Sequence, residues 1–192
     1  MNSQAPKVLA VGSLRRLLAT VSKGRYGVRN RVVVLLSVKA GLRACEIANL
    51  NWQMITNAKG QIADSIELPA ASAKMGSGRR IPMHPKLKRA LRILASASFT
   101  QHDAVIRSER GGQMTAKSIV NWFKKQYVAL NLVGCSSHSG RRTFVTNAAR
   151  QVYRAGGSLR DVQILAGHRS IRTTQIYIEG SSNAQRRLVH LI

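Results

Sequence analysis

The spacing of hydrophobic residues predicts helices along most of the chain. Leu14, Leu17 and Val21 repeat at intervals of three and four residues, so they share one helix face, and Ser13 is a suitable N-cap for that helix. Comparable apolar faces, separated by glycines and turn residues, predict the other helices. These cover residues 32–38, 43–50, 86–94, 118–130, 139–154, 159–166 and 171–178.

The pattern changes between residues 57 and 83. Residues 64–68 alternate between polar and apolar, the turn sequence Met75-Gly-Ser-Gly78 follows, and residues 80–82 resume an extended pattern. This predicts a small antiparallel sheet whose two strands are joined by a flexible hairpin. The expected fold is therefore mainly α with a small antiparallel β-sheet, an α+β class.

Length and composition favour one domain. The chain has 192 residues, of which 44% are hydrophobic, enough for a single substantial core. The sequence shows no internal repeat and no convincing linker. We therefore expect residues 1–192 to fold as one unit.

The charge balance predicts a polyanionic partner. The chain carries 31 Lys and Arg against 7 Asp and Glu, a formal net charge of +24. Such an excess of positive charge is typical of proteins that bind nucleic acid. An apolar run long enough to cross a membrane is absent from the sequence. We expect double-stranded DNA as the partner, no membrane, and a cytoplasmic, nucleoid-associated location.

Several kinds of chemistry are disfavoured by the residues present. A Walker A phosphate loop needs a Gly-Lys dipeptide, which the sequence lacks. The acidic residues are too scattered for a two-metal nuclease site. Cys135 and His138 have metal-ligand spacing but no second pair accompanies them. We therefore expect no metal and no cofactor.

Four motifs occur in a defined order. Gly41-Leu-Arg43-Ala-Cys-Glu46 follows a predicted helix, and His138-Ser-Gly-Arg141 begins another. The third motif is Leu165-Ala-Gly-His168, and the fourth is Tyr177, nine residues after that histidine. The pair His138 and Arg141 is weak alone, because such spacing is common in basic proteins. Together, the order Arg, His-x-x-Arg, His, Tyr from Val11 to Ile178 resembles that of tyrosine recombinases and phage integrases.

The resemblance implies the tyrosine recombinase catalytic-domain fold and a defined catalytic set. Arg43 and Arg141 would hold the scissile phosphate and offset the charge of its pentacoordinate transition state. Tyr177 would attack phosphorus and form a 3′-phosphotyrosine. The bond energy retained in this intermediate would let DNA be resealed without ATP. The implied catalytic residues are Arg43, Lys74, His138, Arg141, His168 and Tyr177.

The remaining roles are also implied by the resemblance. His138 would act as general acid and base near the nucleophile, and His168 would donate to a non-bridging oxygen. Lys74, in the predicted hairpin, would protonate the leaving 5′ oxygen. Glu46 would hold the active-site cations in position without contacting the phosphate itself.

Three further arginines, Arg79, Arg80 and Arg142, lie near these motifs. Arg79 and Arg80 follow the hairpin and are expected to contact DNA near the same phosphate. Arg142 adjoins Arg141, but it should point about 100° away around a helix, so no catalytic role is assigned to it. The family commonly has histidine at that position.

The resemblance also implies an assembly. We expect a monomer in solution and a homo-tetramer on DNA, with residues 181–192 docking into a neighbouring protomer and an accessory DNA-bending or directionality protein as a further partner. Members of the family commonly carry an N-terminal core-binding domain, which we do not expect in residues 1–192. Two alternatives stay open: relaxation of DNA in the manner of a type IB topoisomerase, and a catalytically silent DNA-binding accessory protein.

Overall fold

The computed structural model describes residues 7–70, 78–97, 104–177 and 189. Mostly helical, it contains one small antiparallel sheet, which confirms the predicted fold class. The strands are β1 (Ser65–Leu68) and β2 (Arg79–Pro82). Short 3₁₀ helices cover Trp52–Met54 and Tyr153–Ala155. The α-helices are α1 (Val11–Ser22), α2 (Gly27–Lys39), α3 (Ala44–Ala48), α4 (Pro85–Ala97), α5 (Ala116–Ala129), α6 (Ser139–Gln151), α7 (Leu159–Ala166) and α8 (Ile171–Gln175).

Helix α2 lies at the centre of the main core. It packs against α1, α4 and α6, and the apolar run from Val32 to Leu36 is buried throughout. Five consecutive apolar residues make a helical segment apolar on all sides, and such a segment is stable only when it is surrounded in this way. The helix begins at Gly27, well before the predicted residue 32. In this added first turn Arg29 is also buried, and it donates a hydrogen bond to the Arg107 carbonyl at 3.0 Å.

The predicted N-cap of the first helix is wrong. Helix α1 begins at Val11, with Ala10 at the N-cap position, and Ser13 lies within the first turn. The Leu14 N–H donates to the Ala10 carbonyl at 2.9 Å, so the backbone is already helical before Ser13.

The small sheet pairs residues on either side of the predicted hairpin. Ile66 lies opposite Ile81, and both are buried, whereas Glu67 and Arg80 form the neighbouring exposed pair. Alternation of this kind is expected when one face of a two-stranded sheet rests on the core. Residues 71–77, which include Lys74, lie outside the described residues, so the predicted turn there stays a prediction.

Helix α6 is held tightly against α2 at its first turn. A Cβ atom on Gly140 would lie only 2.2 Å from the Ser37 Oγ, so only glycine permits this approach. Further along, Val145 and Ala149 pack with Val162 of α7 in a second apolar cluster. The start of α6, which carries His138 and Arg141, is thereby fixed between the two clusters. In the parts of the chain that the structure describes, no helix is long and apolar enough to cross a membrane.

Candidate active site

Arg141 joins two of the motifs found in the sequence. Its guanidinium donates hydrogen bonds to the Gly41 carbonyl at 2.7 Å and to the Ala166 carbonyl at 2.6 Å. Gly41 lies two residues before Arg43, and Ala166 lies two residues before His168. One buried side chain therefore ties the start of α6 to the segments that carry Arg43 and His168.

Glu46 lies between two further arginines. Its carboxylate accepts two parallel hydrogen bonds from Arg79, each at 2.9 Å, and one from the Arg43 side chain at 2.9 Å. Its second oxygen also accepts the Arg43 backbone N–H at 2.9 Å, which completes a capping box at the start of α3. Fork-to-fork pairing of this kind fixes orientation as well as charge. Glu46 therefore holds both Arg43 and Arg79 in place.

The burial of these groups changes their protonation. Burial alone would raise the pKa of Glu46, but the hydrogen bonds and positive charge of Arg79 and Arg43 outweigh it and lower the pKa to about 2. Burial, followed by the charge of Arg43, lowers the pKa of Arg141 to about 10. Both groups therefore remain charged at neutral pH.

His168 lies just after the left-handed residue that ends α7. Its Nδ1 lies 3.0 Å from the hydroxyl of Thr174, which is fully buried, and its carbonyl accepts a hydrogen bond from Gln163 at 2.9 Å. Burial, and after it the charges of Arg141 and two other arginines, lower the pKa of His168 from 6.5 to about 4. The imidazole is therefore neutral at pH 7 in the protein without DNA.

Tyr177 lies against His168. The two rings are stacked with centroids 5.8 Å apart and an interplanar angle of 21°. The tyrosine is partly buried and packs on the second apolar cluster. It also lies close enough to Arg141 to influence the pKa of that guanidinium. The structure thus brings Arg43, Arg141, His168 and Tyr177 into one region.

The remaining predicted site residues, His138, Lys74 and Arg80, are not among these four clustered side chains in the part of the chain that the structure describes. His138 is exposed at the N-cap of α6, one turn before Arg141, with its backbone N–H donating to the Ser136 Oγ at 3.3 Å. Lys74 cannot be placed, because it lies outside the described residues. Arg80 is on the exposed face of β2, paired with Glu67 at 2.8 Å. Its expected contact with DNA stays a prediction.

Arg79 departs from its predicted surface role. Only 2% of its side chain is exposed, and besides Glu46 it contacts the Leu165 carbonyl at 3.0 Å. These contacts give Arg79 a bracing position beside Glu46, and its expected contact with DNA stays a prediction. The signal was in the strand pattern, since Arg79 shares a face with buried Ile81.

Arg142 makes a contact that the sequence does not predict. It points away from Arg141, as expected from its place on the helix, and this direction brings its guanidinium carbon to 5.4 Å from the centre of the Tyr177 ring. The positions of Thr174 and Gln163 beside His168 were missed as well. None of these contacts has a sequence signal of its own, because each depends on how α6, α7 and α8 meet.

The low pKa of His168 gives a testable prediction. We expect its Cε1 proton resonance to show a neutral imidazole down to about pH 4 in the free protein. A bound phosphodiester would raise the pKa, because an adjacent anion stabilises imidazolium. Substituting Arg43→Gln should raise it too, since one disfavouring charge is removed. Titration of His168 above pH 6 in the free protein would contradict this environment.

Comparison with solved structures defines the class of fold. The chain aligns over its whole length with the crystal structure of XerA recombinase, with a TM-score of 0.73 and 22% identity, and covers 65% of that chain. It also aligns over its whole length with the Tn1549 transposon integrase in complex with a circular intermediate DNA, with a TM-score of 0.76 and 17% identity, and covers 67% of that chain. The fold is that of the tyrosine recombinase catalytic domain.

Sequence comparison then gives the family. The chain belongs to the phage integrase family, whose sequence model matches residues 7–184. Tyrosine recombinase XerC of Vibrio atlanticus is 27% identical over 180 residues, which are 90% of this chain and 54% of that protein. Tyrosine recombinase XerA of Thermococcus kodakarensis is 28% identical over 174 residues, or 90% of this chain and 57% of that protein. The chain therefore spans about half the length of the curated relatives it matches.

Proposed function

We propose that this chain cleaves and rejoins DNA strands at specific sites, as a tyrosine recombinase, through a covalent 3′-phosphotyrosine at Tyr177. The observation that carries the proposal is the stacking of Tyr177 on His168, whose surroundings hold the charges of Arg43, Arg141 and Arg79. A tyrosine hydroxyl close to a cluster of fixed cations is what an attack on a phosphodiester requires. The net charge of +24 supports DNA as the substrate.

The proposed reaction is a transesterification. The Tyr177 oxygen forms a bond to phosphorus, its proton is transferred to a base for which we propose His138, and the bond to the 5′ oxygen breaks. Lys74 is proposed to give that oxygen its proton. Attack by a 5′ hydroxyl of a partner strand reverses each step and releases Tyr177, so no ATP is consumed.

The cations have separate roles in this proposal. Arg43 and Arg141 bind the non-bridging oxygens and stabilise the added negative charge of the pentacoordinate transition state. His168 is assigned to the same oxygens as a neutral donor. A hydroxyl proton donated by Thr174 to Nδ1 leaves the imidazole proton on Nε2, so Nε2 is the atom we assign to the phosphate. Glu46 keeps Arg43 in position without touching DNA.

The assembly is also a proposal. We propose that residues 1–192 act as one catalytic domain in the cytoplasm, associated with the nucleoid, as a monomer that forms a homo-tetramer on DNA, helped by a DNA-bending or directionality protein. Among the neighbours, the lambda integrase structure is a dimer bound to a COC′ core site. The tail at 181–192, proposed to dock into a neighbouring protomer, lies outside the described residues apart from Val189.

Plasmid topology tests the proposed function against its alternatives. The site is first selected from a random duplex library by recovering DNA attached to protein, and it is then cloned once or twice into supercoiled plasmids. A recombinase inverts or deletes the segment only in the two-site plasmid. Relaxation of both plasmids without exchange would indicate a type IB topoisomerase, and binding without any product would indicate a silent accessory protein.

A further inference from the structure

We propose that Arg142 is a positioning residue that holds the Tyr177 ring docked in the active site. Its guanidinium carbon lies 5.4 Å from the centroid of that ring, within the range of a cation–π contact. This inference rests on the proposed function for its catalytic meaning. The contact itself is a property of the protein without DNA and is testable separately.

The backbone alone gives Tyr177 little support. Helix α8 has five residues and ends at Gln175, two residues before the tyrosine. The Tyr177 N–H donates to the Thr174 carbonyl at 3.1 Å, which closes one 3₁₀-type turn at the end of the helix, and Ile176 is largely exposed. Short helices are marginal without tertiary contacts. The position of the tyrosine therefore depends on what its ring touches.

In the part of the chain that the structure describes, two polar side chains lie against the ring, one just after α7 and one on α6. His168 follows α7 and stacks on the ring, while Arg142 belongs to α6. Since His168 is neutral at pH 7, Arg142 supplies the positive charge over the ring. A planar guanidinium suits this position better than an ammonium, because it stacks on an aromatic face.

Adjacent arginines on α6 thereby acquire different tasks. Arg141 turns inward to the Gly41 and Ala166 carbonyls, and Arg142, about 100° further around the helix, reaches the tyrosine. Because α6 is fixed against α2 at Gly140, the two directions are set together. The helix that places the phosphate-binding arginine thus also places the nucleophile.

Hydroxyl-radical footprinting in the absence of DNA tests the contact. A cation–π contact of this kind shifts a docking equilibrium by about 3- to 30-fold. We expect Arg142→Gln to increase oxidation of Tyr177 at least about threefold, with Arg142→Lys in between. Tyr153, which is 69% exposed, serves as the internal reference. The control Arg150→Gln removes the same charge from the exposed end of α6. Unchanged oxidation of Tyr177 in Arg142→Gln would overturn the proposal.

A single-turnover measurement tests the consequence for chemistry. On a nicked suicide duplex at saturating DNA, Arg142→Gln should form the covalent adduct about 3- to 30-fold more slowly than wild type. Arg150→Gln should keep the wild-type rate at saturation. An unchanged adduct rate in Arg142→Gln would overturn the positioning role. If no variant, including wild type, forms an adduct on a selected site, the proposed function fails, and increased footprinting of Tyr177 would still support the contact.

Discussion

Tyr177→Phe is expected to abolish formation of the covalent protein–DNA complex while leaving DNA binding nearly unchanged. Phenylalanine keeps the ring that stacks on His168 and lies beneath Arg142, but it has no oxygen to bond to phosphorus. Removing a nucleophile outright lowers the rate by about 10⁴-fold or more in enzymes where the loss has been measured. We expect affinity to come mainly from phosphate contacts by Lys and Arg, so it should persist.

The measurement is an SDS-resistant adduct on a nicked suicide duplex, compared with a gel-shift titration of the same DNA. Tyr153→Phe is the matched control, because it removes a hydroxyl from an exposed tyrosine in the 3₁₀ helix that follows α6. Wild type and Tyr153→Phe should form adducts equally. Adduct formation by Tyr177→Phe at the wild-type rate would show that another residue attacks the phosphate.

Glu46→Gln is expected to lower the free energy of unfolding by about 3 to 5 kcal/mol at pH 7, the range seen when one partner of a buried ion pair is removed. The glutamine keeps the shape of the side chain, yet Arg79, with 2% of its side chain exposed, would be left without a counter-charge. Arg43 would lose its support as well. Urea unfolding followed by circular dichroism measures the change.

The effect should depend on pH in a defined direction. The pKa of Glu46 is lowered from 4.5 to about 2 in the folded protein, so the stabilisation is complete above pH 4.5 and is lost as pH falls toward 2. This shift corresponds to about 3 kcal/mol. The difference between wild type and Glu46→Gln should therefore shrink steadily below pH 4.5.

An exposed ion pair provides the control for Glu46. Asp64 pairs with Lys88, but 94% of the Asp64 side chain is exposed. Exposed pairs contribute little because water and salt screen them. Asp64→Asn should therefore leave the unfolding midpoint almost unchanged. Equal loss of stability in the two variants, or no loss in Glu46→Gln, would contradict the conclusion that buried Glu46 holds Arg79 and Arg43 in place.

The sequence predicts the fold class because the periodicities are strong. Apolar faces at helical spacing identify α4, α5 and α7 within a few residues, and the alternating stretches identify the two strands. The ordered motifs predict that Arg43, Arg141, His168 and Tyr177 belong together. The order of the motifs predicts that these residues lie close together because it matches a known family. Spacing along the chain alone would not predict that residues 43 and 168 lie in one site.

The errors come from contacts between distant segments. The pattern around Arg29 looks polar, yet that side chain is buried because the Arg107 carbonyl accepts its hydrogen bond. Arg79 looks like a surface cation, yet its partner Glu46 lies 33 residues earlier. The direction predicted for Arg142 on α6 is correct, but its contact with Tyr177 is not predicted. The sequence has no local signal for the position of Tyr177 relative to that helix.

Identifying the amino acid that becomes covalently attached to DNA tests most directly whether Tyr177 is the nucleophile. The covalent complex formed on a selected site is digested with trypsin and nuclease and analysed by mass spectrometry. Residues 173–186 form a tryptic peptide whose only tyrosine is Tyr177. We expect a nucleotide joined through its 3′ phosphate to Tyr177 in that peptide. A nucleotide on any other residue, or DNA attached through its 5′ phosphate, would contradict it.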